Sequence, residues 1–116
     1  MILYHGWTDP LISPGDAVNY YERVQGTVGA ANLRRSMRLY MVPGMNHFRG
    51  GEGPDDFDMQ PVIEQWLEKQ RAPEAVIASK ISDGKVKRTR PLCPYPQVAV
   101  WNGARSIDDA ANFVCK

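Results

Sequence analysis

The chain has 116 residues, 43% hydrophobic and 23% charged, with 14 Lys+Arg against 13 Asp+Glu and a formal net charge of +1. That is enough for one small globular domain with its own core, and the charge balance gives no support to nucleic-acid or anionic-membrane binding. No apolar run approaches the roughly 20 residues of a membrane span, and no secretory leader is visible.

Met1 stands directly inside an apolar run, which suggests a fragment of a longer chain or a start codon inside one. Ile2-Leu3-Tyr4-His5 reads as a short buried strand stopped by Gly6. Asp9 lies on the loop after it. Ser13 can cap a helix, Pro14 suits its first position and Asp16 its first turn. Ala17, Tyr20, Tyr21, Val24 and Val28 then predict one apolar helical face, fading near Gly26–Gly29. Ala30–Arg38 is expected to be a polar, basic connection. Its arginines do not make a nucleic-acid site, because no aromatic platform or second basic cluster accompanies them.

Leu39–Val42 is the next strand, ended by Pro43-Gly44, and His47 lies on the loop beyond it. Arg49–Pro54 is loop chemistry but no phosphate-binding loop, since no strand runs into it and no Gly-Lys-Ser/Thr follows. Asp55 or Asp56 is expected to cap a second helix with the face Met59, Val62, Ile63, Trp66 and Leu67, ended by Arg71-Ala72-Pro73. Trp66 reads as core packing. Residues 1–72 are thus a βαβα unit, whose parallel strands need a right-handed crossover. Two parallel strands cannot bury both faces alone, so the unit calls for more sheet beside it.

Residues 73–116 have another texture. Val76–Ser79 and Val86–Arg90 are extended candidates around a Ser82-Asp83-Gly84 turn. Pro91, Pro94 and Pro96 exclude a central strand or helix next. Gln97–Trp101 is extended, and Ser106 is expected to cap a helical turn over Asp108–Asn112. Cys93 and Cys115 have no histidine near in sequence and do not make a metal site. Either they pair, closing a loop of about 23 residues worth roughly 3 kcal/mol in an oxidising compartment, or they are two free buried thiols. The residues leave both open.

The chemistry lies in the two strand-end loops. Neighbouring parallel strands would deliver Asp9 and His47 to the same sheet edge. An aspartate there can fix the histidine's tautomer and stabilise its imidazolium, leaving the other nitrogen as general base. The order Ser…Asp…His is that of the α/β-hydrolases, and here its second and third members are visible. None of Ser13, Ser36, Ser79, Ser82 and Ser106 lies in G-x-S-x-G or on a strand–elbow–helix, so the nucleophile is expected upstream, outside this chain.

The runs LYHGWTDPLISPGDAVNYYERV, RLYMVPGMNHFRGGEGPDDFDMQPVIEQWLEK, APEAVIAS, RTRPLCPYPQVAVWNG and SIDDAANFVC resemble the C-terminal end of the tannase/feruloyl esterase family of secreted serine esterases. The resemblance implies an α/β chain that is the C-terminal segment of an α/β-hydrolase fold. It would be a βαβα unit followed by an irregular, short-stranded, disulfide-tied tail, without the upstream nucleophile region and lid. It implies cleavage of esters of aromatic acids, with Asp9 and His47 as triad members and a small aromatic ester as the substrate of the full-length parent. It implies a Cys93–Cys115 disulfide and a secreted or periplasmic location. The family's calcium ion is held in the lid, so no cofactor or metal is expected in this chain. Phe48 stands where the family pattern has a cysteine bonded beside the nucleophilic serine. Asn46 stands where a glycine is expected, and asparagine tolerates positive φ. Two readings follow. The parent is an esterase to which this chain supplies acid and base, or the chain is an inactive remnant, at most a scaffold or interaction module.

Overall fold

The computed structural model describes residues 1–116. Two parallel strands, β1 (Ile2–Gly6) and β2 (Arg38–Val42), run side by side with Leu3 opposite Leu39, Tyr4 opposite Tyr40 and His5 opposite Met41. The crossover between them is helical: α1 (Pro14–Val28) and then α2 (Ala30–Ser36). After β2 come α3 (Gln60–Lys69), the antiparallel hairpin β3 (Val76–Ser82) and β4 (Lys85–Leu92), and a small antiparallel pair, β5 (Ala99–Trp101) and β6 (Phe113–Cys115).

Side chains alternate across a strand, and the alternation sorts the core into two layers. Leu3, Leu39 and Met41 point to one face and pack with Tyr21, Leu33 and Met37 of the crossover. Ile2, Tyr40 and Val42 point to the other and pack with Met45, Met59 and Val62 and with Val76, Ala78 and Leu92 of the hairpin. β2 is therefore buried along almost its whole length, whereas β1 is half-buried and its Tyr4 is 47% exposed. The expectation of a buried first strand is corrected accordingly. β1 has no strand on its outer edge, while β2 is flanked on its other side by the bridge from Tyr40 to Pro94 and the bond from Tyr95 N–H to the Leu39 carbonyl.

The first helix begins at Pro14 as predicted, but the Ser13 hydroxyl makes no capping bond. Its packed face is Ala17, Val18, Tyr21 and Val24. Tyr20, about 100° round the helix from Tyr21, is exposed, and so is Val28 at the last turn. The stretch expected as a polar connection is helical. Gly29 breaks the chain at φ 82°, good helix formers follow, and Leu33, 1% exposed, anchors the short helix while its arginines line the wet side. The third helix starts later than predicted. Asp55 and Asp56 are tied instead to Ser79 on β3, and it is the Asp58 carboxylate that accepts the Gln60 N–H at 2.9 Å. Trp66 is buried, with the Arg38 guanidinium over its ring, whereas Leu67 is exposed.

The tail is more regular than its sequence texture. The hairpin turns on two residues, Asp83 and Gly84, both at positive φ (52° and 69°), which matches the right-handed twist of the flanking strands. Pro91 sits within β4, opposite Ile77, a position open to proline because the sheet has only two strands and both are edges. A 3-10 turn over Ala110–Asn112 is capped by Asp109, while Ser106 accepts from the Asp108 N–H. Cys93 and Cys115 are bonded, with Cα atoms 5.5 Å apart. The disulfide implied by the family resemblance is present, and free thiols are excluded. No helix is long and apolar enough to cross a membrane.

The disulfide ties β6 to the chain beyond β4, so replacing both cysteines by serine should act first on the tail. A loss of about 2–4 kcal/mol of stability is expected. Urea titration should show it as a lower midpoint, and the amides of β5 and β6 should lose hydrogen-exchange protection before those of β2.

Candidate active site

The two strand-end loops meet because of Gly6. It is buried at the C-terminal end of β1, and a Cβ there would run into the backbone carbonyls of Met45 and Asn46. Only a glycine lets the loop after β2 cross this closely. The crossing is then bonded: Trp7 N–H to the Val42 carbonyl at 3.0 Å, and Thr8 N–H to the Met45 carbonyl at 3.1 Å. The Thr8 hydroxyl donates to the same carbonyl at 2.8 Å and to Asn46 Oδ1 at 3.3 Å.

This contact brings Asp9 and His47 together, with His47 Nδ1 2.8 Å from Asp9 Oδ2. The Asp9 side chain has no exposed surface, and the His47 side chain is one-third exposed. Asp9 Oδ1 accepts the backbone N–H groups of Leu11 and Ile12 at 2.8 and 3.1 Å. Burial works to raise the Asp9 pKa, but the two backbone donors and His47 outweigh it and hold the group at about 2. Asp9 is thus ionised and acceptor-only at neutral pH, so Nδ1 of His47 carries a proton and donates it to Oδ2. Nε2 has no hydrogen-bond partner within the chain, and none of the serine hydroxyls bonds it.

A third ring joins the pair. His5 Nε2 lies 3.0 Å from the same Asp9 Oδ2 and 3.3 Å from the Ile12 carbonyl. Reading the sequence as strand then loop overlooked it. The available signal was the His-x-x-x-Asp spacing across a strand end that turns back on itself. The anchoring of the His47 loop was overlooked too. Asp55 accepts the Gly50 N–H at 2.7 Å and pairs with Lys80 of β3 at 3.0 Å, and Lys80 also reaches the Gly51 carbonyl. Phe48 is 68% exposed and lies edge-on to the His47 ring, centroids 5.2 Å apart. Asn46 does not use positive φ: the left-handed positions in this loop are Gly44, Gly50 and Gly51.

A cavity of about 480 Å³ lies among Trp7, Met41, Pro54, Leu92 and Tyr95, and its lining includes neither Asp9 nor His47. No cluster of three His, Cys, Asp or Glu side chains forms a metal-ligand set. The two imidazoles do not converge on a shared centre: His47 bonds Asp9 Oδ2, and His5 Nε2, close to the same oxygen, bonds the Ile12 carbonyl.

The family model described as "Tannase and feruloyl esterase" matches residues 1–116. The chain belongs to this family. Among its relatives is the mono(2-hydroxyethyl) terephthalate hydrolase of Piscinibacter sakaiensis, 45% identical over 99% of this chain and 19% of that protein. An uncharacterised esterase of Xanthomonas campestris is 39% identical over 99% of this chain and 25% of its own length. The crystal structure of an esterase from Aspergillus oryzae superposes with a TM-score of 0.88 at 30% identity, covering 99% of this chain and 27% of that one. This tannase and feruloyl esterase family chain therefore spans about a quarter or less of the length of the relatives it matches.

Two outcomes test the geometry. Because the Asp9 pKa is depressed from 3.8 to about 2, its charge stabilises the fold fully above 3.8, and that contribution is lost as pH falls through about 2. Asp9→Asn should flatten the acid limb of a stability-versus-pH curve over this window. Separately, Gly6→Ala should separate the two loops and cost about 1–3 kcal/mol. Equal stability of Gly6→Ala and wild type in denaturant melts would contradict the close crossing.

Proposed function

We propose that this chain is the C-terminal segment of an α/β-hydrolase-fold carboxylic ester hydrolase and supplies the acid and base of its Ser-His-Asp triad. The observation that carries the reading is the Asp9–His47 bond through Nδ1, made by a fully buried, ionised carboxylate, with no partner for Nε2 within the chain. In this role Asp9 sets the tautomer of His47 and stabilises its imidazolium. His47 Nε2 takes the proton of a serine hydroxyl as that oxygen attacks the ester carbonyl, and returns it to the departing alcohol. The serine lies outside this chain, on a strand–turn–helix elbow of sheet paired with the open edge of β1. The proposed substrates are esters of aromatic acids. Support comes from the family description and from the terephthalate monoester named for the Piscinibacter relative. A secreted or periplasmic location is proposed with it, since a disulfide persists in an oxidising compartment.

One observation favours a second reading for the 116 residues by themselves. No serine hydroxyl is hydrogen-bonded to His47 Nε2, so on this reading the isolated chain is an inactive scaffold with respect to this mechanism.

The test joins the two. The isolated chain should not turn over a methyl ester of an aromatic acid. The gene product read from the coding sequence upstream of Met1 should do so, and Asp9→Asn in it should lower kcat by about 10⁴-fold. Finding no serine elbow upstream, or serine-reagent-sensitive turnover by the isolated chain, would sink the proposal.

A further inference from the structure

We propose that Asp55 and Lys80 form a positioning clamp for His47: together they grip the Gly50-Gly51 backbone and so fix the histidine loop where it presents Nδ1 to Asp9. The inference rests on the triad reading above and adds two residues to it, which act through the loop and not on the reacting atoms.

His47, Phe48 and Arg49 stand between two bonded residues, since Asn46 N–H donates to the Gly50 carbonyl at 3.0 Å. On its N-terminal side this loop is held to the chain after β1, where Thr8 bonds the Met45 carbonyl through both N–H and hydroxyl. On its C-terminal side it runs into Gly50 and Gly51, at φ 78° and 95°. Glycine is the most permissive residue of the backbone, and Phe48, 68% exposed, does not anchor this limb. The clamp does. Asp55 Oδ2 accepts the Gly50 N–H at 2.7 Å. Lys80 Nζ donates to Asp55 Oδ1 at 3.0 Å and to the Gly51 carbonyl at 2.8 Å. The diglycine is thus gripped at both ends by charge-assisted bonds. Gly51 is held so near the turn after β2 that a Cβ on it would collide with the Gly44 carbonyl.

Both halves of the clamp are referenced to β3. Lys80 shares the strand parity of Val76 and Ala78, which lie in the core layer. It is also the last residue before the register of the hairpin shifts, and such irregularities re-aim side chains. A lysine that continues a core-facing row needs a charged partner, and Asp55 supplies it. Asp55 is tied to the same strand, because its N–H and that of Asp56 donate to the Ser79 carbonyl at 3.1 and 3.0 Å. Groups held on regular elements keep tighter geometry than groups held on loops. Burial works to raise the Asp55 pKa, but the Gly50 N–H and Lys80 outweigh it and hold the carboxyl below its usual range, so it is ionised at neutral pH.

The test is nitrogen-15 and proton NMR of the 116-residue chain, reading the exchange with water of the His47 Nδ1–H and of the β2 amides. The wild type should show a downfield, slowly exchanging Nδ1–H. Lys80→Met keeps a long side chain and removes charge and donor. It should speed Nδ1–H exchange by about tenfold, the order that a hydrogen bond to a charged group contributes, with a smaller change in β2. Lys80→Arg returns a cation with donors and should recover most of the wild-type rate. Asp55→Ala opens the clamp from its other side and should match Lys80→Met, and the double variant should be no faster than either, since the pair acts as one unit. Unchanged Nδ1–H exchange in Lys80→Met overturns the proposal. So does an equal acceleration in β2, the mark of general destabilisation, an effect that Lys80→Arg does not reverse, or effects that add in the double variant. Where Lys80→Met does not fold, Asp55→Ala is judged by the first two criteria. A wild type without the Nδ1–H tautomer would instead remove the Asp9–His47 pairing itself, which separates failure of the triad reading from failure of this one.

Discussion

A carboxylate with no exposed side-chain surface has to find its donors within the protein, and the burial of Asp9 makes that demand at the loop end of the sheet. An unpaired buried charge costs several kcal/mol, so the chain around it is arranged to bring donors to both of its oxygens. The loop after β1 turns back so that its own N–H groups reach Oδ1. The loop after β2 crosses over Gly6 so that His47 reaches Oδ2. The same arrangement makes the carboxylate a strong acceptor that stays ionised. An aspartate meant to orient an imidazole has to be fixed in place and charged, and here one set of bonds provides both conditions.

That arrangement depends on the parallel register of β1 and β2, which ends both strands at the same level, Gly6 opposite Val42. The register in turn depends on burial on two sides. The crossover helices cover one face and the tail hairpin covers the other. The tail is therefore not laid on a finished body. Val76, Ala78 and Leu92 supply half of one core layer, and the same hairpin carries Lys80, which pins the loop beyond His47 through Asp55 and Gly51. Residue 73 marks a change of sequence texture, but the core runs across it.

What was legible in the sequence was what short-range rules govern. The strands around Tyr4 and Tyr40, the helix start at Pro14 and the delivery of Asp9 and His47 to one edge all follow from local signals plus one topological rule. What was not legible depended on contacts distant in sequence. Asp55 and Asp56 have good capping chemistry, but pairing with Ser79 and Lys80 on the hairpin claims them first. Ala30–Ser36 looked like a polar link because its single anchor, Leu33, is too sparse a pattern to read as an amphipathic helix. His5 looked like a strand residue because its partner is reached by a reversal of the chain, not by strand or helix periodicity. The disulfide was undecidable from the residues and followed only from the resemblance.

Phe48 shows what such local anchoring can and cannot replace. A net hydrogen bond contributes about 1 kcal/mol, so the Thr8 bonds to Met45 and Asn46, together with the Gly50–Asp55–Lys80 chain, can hold the histidine loop against β1 and β3 as firmly as one covalent cross-link. All of these bonds lie within the chain and refer His47 to Asp9. In the proposed triad, a cysteine at position 48 would refer it to the serine as well. The pairing of His47 with Asp9 is therefore independent of a cross-link at position 48, whereas in the proposed triad the distance from His47 Nε2 to the serine is left to the packing of β1 against neighbouring sheet and to whatever meets the exposed Phe48 ring.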